Sequence, residues 1–306
     1  MRPTPLFRGT GTAIVTPFTA DGRLDYDAFR RLIEFQIRGG VEAIVVLGTT
    51  GENPTIEDDE RDRLVETAIE ATAGRARVIV GTGTNSTTRS VAYARRASAY
   101  GADGQLVVAP YYNKPTQEGF AAHVRAIAEA TDLPIILYNV PGRTGLNVAA
   151  DTTLAIANEI DSVAGVKEAS GNLAQISDIL SGRPLNFAVY SGDDEMALPV
   201  AALGGDGCIS VISNALPAAF SRLVRLALTG HVEAARSAHF ELLNAMRACF
   251  AETNPIPIKH ALAEMGLITP TVRLPLLPAT HRASLIIRDA FAAPIAEATR
   301  SQPVAA

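Results

Sequence analysis

Of the 27 basic residues in this 306-residue chain, 24 are arginine and only three are lysine: Lys114, Lys167 and Lys259. Base composition of the coding sequence accounts for such a bias, but its chemical consequence stands whatever the cause. Amine chemistry has three side-chain candidates. Lys167 follows the apolar run Val163-Ala164-Gly165-Val166, so it should sit at the end of a buried strand. A lysine there is costly unless paired or uncharged. A desolvated amine is also what an imine-forming nucleophile requires. The competing assignment is an ion pair with Glu168 or another acid. Lys114, beyond a Tyr-Asn turn and beside Pro115, reads as exposed, and Lys259, in a helical stretch late in the chain, reads as far from the strand ends that would form the mouth of a site.

Other groups gather at comparable strand ends. Tyr138 closes Pro134–Tyr138, and a phenol placed beside an amine can shuttle the protons that carbinolamine formation and loss require. Gly48-Thr49-Thr50-Gly51 offers hydroxyls and open backbone that can hold a carboxylate, or a helix-capping turn, or both. Arg143, in Pro141-Gly142-Arg143-Thr144-Gly145, suits a second carboxylate, although a surface arginine is the commoner case. Tyr111-Tyr112 is as consistent with packing as with catalysis. His123, His231, His239, His260 and His281 all fall in helical stretches, so metal-dependent aldol chemistry has no ligand set at the strand ends. The turn Gly204-Gly205-Asp206-Gly207 reads as a tight entry into a strand rather than as a phosphate site.

The elements that must position these groups alternate. Eight apolar runs read as strands: 11–17, 43–47, 77–80, 105–109, 134–138, 163–167, 187–190 and 208–212. They are apolar at nearly every position, as in a sheet covered on both faces. Segments with helical spacing lie between them. Thr55-Ile56-Glu57-Asp58 reads as the start of the second helix, and Gly39-Gly40 and Gly101 as stops. No strand–GxGxxG–helix unit opens the chain. The pattern predicts an α/β fold, a (βα)8 TIM barrel over residues 1–230 that carries the site. A C-terminal helical appendage follows over 231–306, with helices at 231–250, 255–266 and 278–298 and a loose tail from Ser301.

Bulk properties narrow the function classes. With 47% hydrophobic and 19% charged residues the chain can bury a large core, and its net charge of −5 gives no pull toward nucleic acid or acidic membrane. No apolar run approaches the roughly 20 residues that span a bilayer, and the N-terminus lacks a secretory signal. Two cysteines, Cys208 and Cys249, build neither a disulfide framework nor a metal site. The expectation is a cytoplasmic protein without metal.

The strings Gly48-Thr49-Thr50-Gly51-Glu52, Tyr111-Tyr112-Asn113-Lys114-Pro115, Tyr138-Asn139-Val140-Pro141 and Val166-Lys167-Glu168-Ala169-Ser170 stand in order at matching strand ends. Together they resemble the N-acetylneuraminate lyase superfamily of class I aldolases, and within it the dihydrodipicolinate synthases. The likeness runs from about Phe7 to about Pro278 and includes Asn254-Pro255-Ile256-Pro257-Ile258-Lys259. The resemblance implies that Lys167 forms an imine with pyruvate and that Tyr138 moves its protons. It implies that Thr49 links Tyr138 to Tyr112, which the adjacent subunit of a tight dimer supplies. Thr50 and the backbone of Ile209 would contact pyruvate, and Arg143 would bind the carboxylate of L-aspartate-4-semialdehyde. No cofactor beyond the lysine imine is implied, and the assembly would be a homotetramer of two tight dimers.

Two rivals remain at this level: a sister aldolase that cleaves a sialic acid or 2-keto-3-deoxy sugar acid, and a keto-acid sensor without activity. Arg143 distinguishes the first, since sister enzymes need polyol contacts there. Relatives inhibited by lysine bind it in a cleft that Asn85 and Tyr111 match here. Where those relatives carry an acid, this chain has Arg89, and where bacterial ones carry two histidines it has Asp58 and Arg61. The expectation is weak or absent inhibition by L-lysine.

Overall fold

Each apolar run in the first two thirds of the chain becomes a strand, and each strand pairs in parallel with its sequence neighbours. The computed structural model describes residues 5–301. The strands are β1 (Gly9–Ala13), β2 (Ala43–Val46), β3 (Arg77–Gly81), β4 (Gly104–Val108), β5 (Ile135–Asn139), β6 (Val163–Glu168), β7 (Ala188–Ser191) and β8 (Gly207–Ser210). They close in the order β1 to β8, with β8 back on β1. This is the TIM barrel that the alternation predicts.

The first strand lies earlier than its most apolar stretch. Gly9 and Gly11 look unlike strand residues, yet Gly11 must lack a side chain: a Cβ there would lie 2.9 Å from the ring of Phe7. Phe7 stacks on Tyr190 at 4.3 Å and accepts the Tyr190 hydroxyl on its carbonyl at 2.7 Å, closing the lower end of the barrel. Ile14 and Val15, expected in the strand, follow it, and the Val15 N–H is held by the side chain of Asn214 at 3.0 Å.

The helices between strands are α1 (Tyr26–Arg38), α2 (Asp58–Thr72), α3 (Thr87–Tyr100), α4 (Gln117–Ala128), α5 (Pro141–Thr144), α6 (Ala150–Glu159), α7 (Leu173–Gly182), α8 (Ala197–Ala202) and α9 (Pro217–Leu228). In α1 the buried Ala28, Phe29, Leu32, Ile33 and Gln36 form one face toward the sheet. Asp25 caps it by accepting from the Ala28 N–H at 2.8 Å, and Gly39 ends it. At α2 the cap is Glu57, whose N–H donates to Glu60 at 3.0 Å; Thr55 instead turns back to the Glu52 carbonyl at 3.0 Å.

The C-terminal region holds α10 (Val232–Ala248), α11 (Ile256–Glu264), α12 (His281–Ala290) and α13 (Ala292–Ser301). His231 therefore precedes a helix rather than lying in one. The single helix expected over 278–298 divides at Phe291, which is buried. Pro294 has no N–H for the Ala290 carbonyl and its ring would collide there, so one continuous helix is excluded. Ser301 ends α13; the rest of the expected tail lies outside the described residues. Ile258 and Leu262 of α11 join barrel-helix residues such as Phe220 and Leu223 in one continuous core. Each fully buried side chain of this kind contributes roughly 1.5–3 kcal/mol. That shared core fixes the C-terminal helices against the barrel. No helix among the described residues is long and apolar enough to cross a membrane.

Candidate active site

The C-terminal ends of β2, β5, β6 and β7 converge on one pocket of about 120 Å³. Its walls include Thr49, Thr50, Tyr138, Arg143, Lys167 and Asn254. Register explains the convergence: Tyr138 of β5 pairs with Lys167 of β6, which pairs with Tyr190 of β7. All three side chains share the inward side of the barrel.

Lys167 is 5% exposed, and its Nζ lies 4.3 Å from the centre of the Tyr138 ring. Among the described residues no carboxylate forms an ion pair with it. Glu168, the partner considered from sequence, points the other way because successive strand residues face opposite sides. Its carboxylate accepts from Asn139 at 3.1 Å, Gln175 at 3.0 Å and the Ser170 N–H at 2.8 Å, between the strands and the helix layer. Gly192 makes room for the lysine: a Cβ there would lie 3.0 Å from Lys167 Cε. Lys114 is exposed.

The β2 loop brings Thr49 and Thr50. Gly51 and Glu52 donate backbone N–H bonds to Gly48 and Thr49 at 3.1 Å each, giving two overlapping turns. The Thr16 hydroxyl holds the Gly51 carbonyl at 2.7 Å. Leu47 and Glu52 both take positive φ, 58° and 54°. Gly81 accommodates the loop, since a Cβ there would meet the Leu47 carbonyl oxygen at 2.0 Å. Thr50 is buried and its hydroxyl accepts from Asn254 Nδ2 at 3.0 Å. Arg143, in α5, donates to the Asn254 carbonyl at 3.3 Å.

A second cavity of about 200 Å³ shares Thr49, Tyr138, Val140 and Arg143 with the first and adds Tyr111 and Thr144. The site therefore has two compartments with a common wall. Tyr112 lines neither: the residue is 90% exposed, on backbone at φ 72°. Ile209 is fully buried in the inner core of the barrel, and Val211, not Ile209, reaches the pocket wall.

The wall also includes residues to which the sequence assigns no role, among them Gly192, Asp193, Val211, Phe250 and Asn254. Burial raises the Asp193 carboxyl above its ordinary value. Its neighbour Asp194 is pushed up to about 6, again by burial, although it accepts from the Ile212 N–H at 2.8 Å and the Val211 N–H at 3.2 Å. Asn254 belonged to a recognisable string, but only the folded chain shows that it reaches Thr50. Lys259 is a correction. It is not remote from the barrel mouth, because its Nζ lies 2.6 Å from Glu52 at the end of the β2 loop.

The remaining expectations fall elsewhere. Among the described residues no three His, Cys, Asp or Glu side chains come together to hold a metal ion. The Gly204–Gly207 turn lies at the entry to β8, with Asp206 accepting from the Val189 N–H at 3.0 Å and pairing with Arg183. A third cleft of about 300 Å³ is lined by Asp58, Arg61, Thr84, Arg89, Tyr93 and Tyr111 among others, and Asn85 is not part of its wall. Arg61 is stacked 3.9 Å from the Tyr93 ring centre and donates to the Gly81 carbonyl at 2.8 Å. Asp58 accepts from the Tyr93 hydroxyl at 2.7 Å.

Comparison with known proteins agrees with this geometry. The model of the dihydrodipicolinate synthetase family matches residues 6–293. The chain is 61% identical to 4-hydroxy-tetrahydrodipicolinate synthase of Salinibacter ruber over 277 residues, 90% of this chain and 92% of that one. Among solved structures, a monomeric dihydrodipicolinate synthase variant matches with a TM-score of 0.93 at 45% identity, covering 94% of this chain and 97% of that one. The dihydrodipicolinate synthase of Cyanidioschyzon merolae with lysine bound matches with a TM-score of 0.92 at 40% identity, covering 95% and 99%. With the lysine, tyrosine and paired threonines at matching strand ends, the chain belongs to the dihydrodipicolinate synthetase family.

Proposed function

We propose that the chain condenses pyruvate with L-aspartate-4-semialdehyde to 4-hydroxy-tetrahydrodipicolinate, for diaminopimelate and lysine synthesis. The observation that carries this is Lys167: a buried amine at a barrel strand end, without a carboxylate partner among the described residues, against Tyr138 in a pocket that also holds Thr50 and Arg143. The neutral amine attacks the pyruvate ketone, and loss of water leaves the imine. Tyr138 carries protons in and out of that step, relayed through Thr49 to Tyr112 of an adjacent subunit. The imine loses a methyl proton to give the enamine, whose carbon attacks the aldehyde. The amine of the second substrate then adds to the imine carbon and displaces Lys167. The lysine imine is the electron sink, so the reaction calls for no metal or organic cofactor.

Thr50 is assigned to the pyruvate carboxylate, the Ile209 backbone to a substrate contact inside β8, and Arg143 to the carboxylate of the semialdehyde. Arg143 on the wall shared by the two compartments favours this reading over a sister aldolase, whose sugar-acid substrate needs polyol contacts. The working division is a barrel, 1–230, with the site, and a C-terminal region, 231–306. The enzyme is assigned to the cytoplasm as a homotetramer of tight dimers. The test is reduction with borohydride in the presence of pyruvate, followed by peptide mapping. A reduced pyruvyl group on Lys167 and on neither Lys114 nor Lys259 is expected; label elsewhere, or full activity without label, overturns the imine mechanism.

We also propose that L-lysine inhibits weakly or not at all. The third cleft presents Arg61 and Arg89, and a cation about 4 Å from a bound lysine amine costs roughly 4 kcal/mol at an effective dielectric near 20, less where water screens it. Asp58 is engaged with Tyr93, which leaves it less able to offset that repulsion. Initial rates at sub-saturating substrate decide the matter. Half-inhibition below about 1 mM, or binding near −4 kcal/mol, contradicts it.

A further inference from the structure

The string Asn254–Lys259 spans six residues, and both of its ends touch the β2 loop. Asn254 donates to the Thr50 hydroxyl at 3.0 Å, while Lys259 Nζ lies 2.6 Å from Glu52 Oε1. The Lys259–Glu52 pair is sealed: the side chains are 0% and 1% exposed. Lys259 also donates to the Thr16 carbonyl at 2.9 Å and lies 4.2 Å from the centre of the Phe18 ring. The second Glu52 oxygen accepts from the Arg273 N–H at 2.9 Å. Burial pulls Lys259 down to about 8, against the opposing pull of Glu52.

A buried ion pair is weak evidence for a contribution to stability, because desolvation offsets attraction and an apolar pair of equal volume often serves as well. What such a pair supplies is direction: a charge cannot slide along its partner as an alkyl group can. Here the direction matters. Glu52 stands two residues after Thr50, and the loop between them is held in overlapping turns with Glu52 at φ 54°. Moving Lys259 moves both ends of the Thr50–Asn254 contact.

Building on the proposed function, we propose that Lys259 is a positioning residue for the keto acid. Its pairing with Glu52 sets the Thr50–Asn254 contact, and through it the carboxylate end of the Lys167 pocket. The C-terminal region is then part of the site's frame rather than an appendage to it.

The experiment is pyruvate-dependent borohydride trapping at Lys167 in the assembled enzyme, with steady-state kinetics on both substrates and thermal melting to confirm folding. Lys259→Met is expected to raise the half-saturating pyruvate concentration for trapping about tenfold, with an unchanged maximal extent and a smaller effect on KM for the semialdehyde. Glu52→Gln and the double variant should show the same rise, not the product of two rises, because one interaction is lost in all three. A folded Lys259→Met enzyme with the parent's half-saturation overturns the proposal, as do effects that multiply. If Lys259→Met does not fold, the comparison rests on Glu52→Gln and the double variant; failure of all three to fold assigns the pair to stability alone and overturns it too. Absence of trapping in the unmodified enzyme is a different failure, that of the imine reading.

Discussion

Arg143 stands where the two compartments meet, and among the described residues its guanidinium makes one hydrogen bond, a long one of 3.3 Å to the Asn254 carbonyl. Its guanidinium is therefore available to a ligand. Arg143→Ala is expected to raise KM for the semialdehyde about ten- to a hundredfold, the worth of one charge-assisted bond, and KM for pyruvate far less. Equal effects on both substrates would make Arg143 part of the scaffold. The same logic of availability explains which residues sequence could single out. Lys167 was legible because lysine is scarce here and because an apolar run led up to it. Glu168 could not be assigned from its neighbour, since the alternation of a strand becomes informative only once the inward side is known. Lys259 was misplaced because its partner, Glu52, lies 207 residues away, and only chain closure brings them together. Two prolines and a lysine inside an otherwise apolar helix start were the available signal.

At the scale of elements, strands were legible because a sheet covered on both faces must be apolar throughout, and that survives in local composition. Their edges were not. β1 starts in glycines, Gly9 crowded by the Glu42 carboxylate and Gly11 by the Phe7 ring, contacts no local pattern records. The break between α12 and α13 was readable in principle from Pro294. The seam between β7 and β8 shows what local reading cannot supply: Asp194, just beyond β7, holds the N–H groups of Val211 and Ile212 just beyond β8. Burial lifts its carboxyl from 3.8 to about 6. The native state then binds the proton more tightly than the unfolded chain, so ionised Asp194 costs stability above pH 6, and that cost is relieved as pH falls toward 4. The full shift corresponds to about 3 kcal/mol, of which about 1 kcal/mol is recovered between pH 7 and 5. Asp194→Asn cannot recover it. The unfolding free energy of the parent minus that of the variant should therefore grow by about 1 kcal/mol from pH 7 to pH 5 in denaturant titrations. A difference that stays flat or shrinks as pH falls would show that Asp194 is already protonated or ordinarily ionised in the native state.

The whole molecule poses the question that neither residues nor elements answer, because the same barrel can serve different assemblies: a monomeric variant within the family superposes with a TM-score of 0.93. What points to a second subunit here is Tyr112. The residue is 90% exposed and away from its own pocket, and it is held at φ 72° without being glycine. Such backbone costs of order 1 kcal/mol or more and persists when surrounding contacts require it. If Tyr112 completes the proton relay of a neighbour, Tyr112→Phe should lose on the order of a hundredfold in kcat, the scale of a general acid–base group. Lys167→Ala should be inactive. In a mixed dimer of these two chains, one site lacks both groups, while the other keeps its own Lys167 and receives an intact Tyr112. Equal mixing makes half of the dimers hybrid and restores one of two sites in each, so about a quarter of the parent activity should return on subunit exchange. Exchange is verified by mass-tagged chains, and activity is followed over the same interval. Recovery near that level places the phenol across the interface. No recovery once hybrids are present places Tyr112 in its own subunit's surface, and the proton path must then leave Tyr138 by another route.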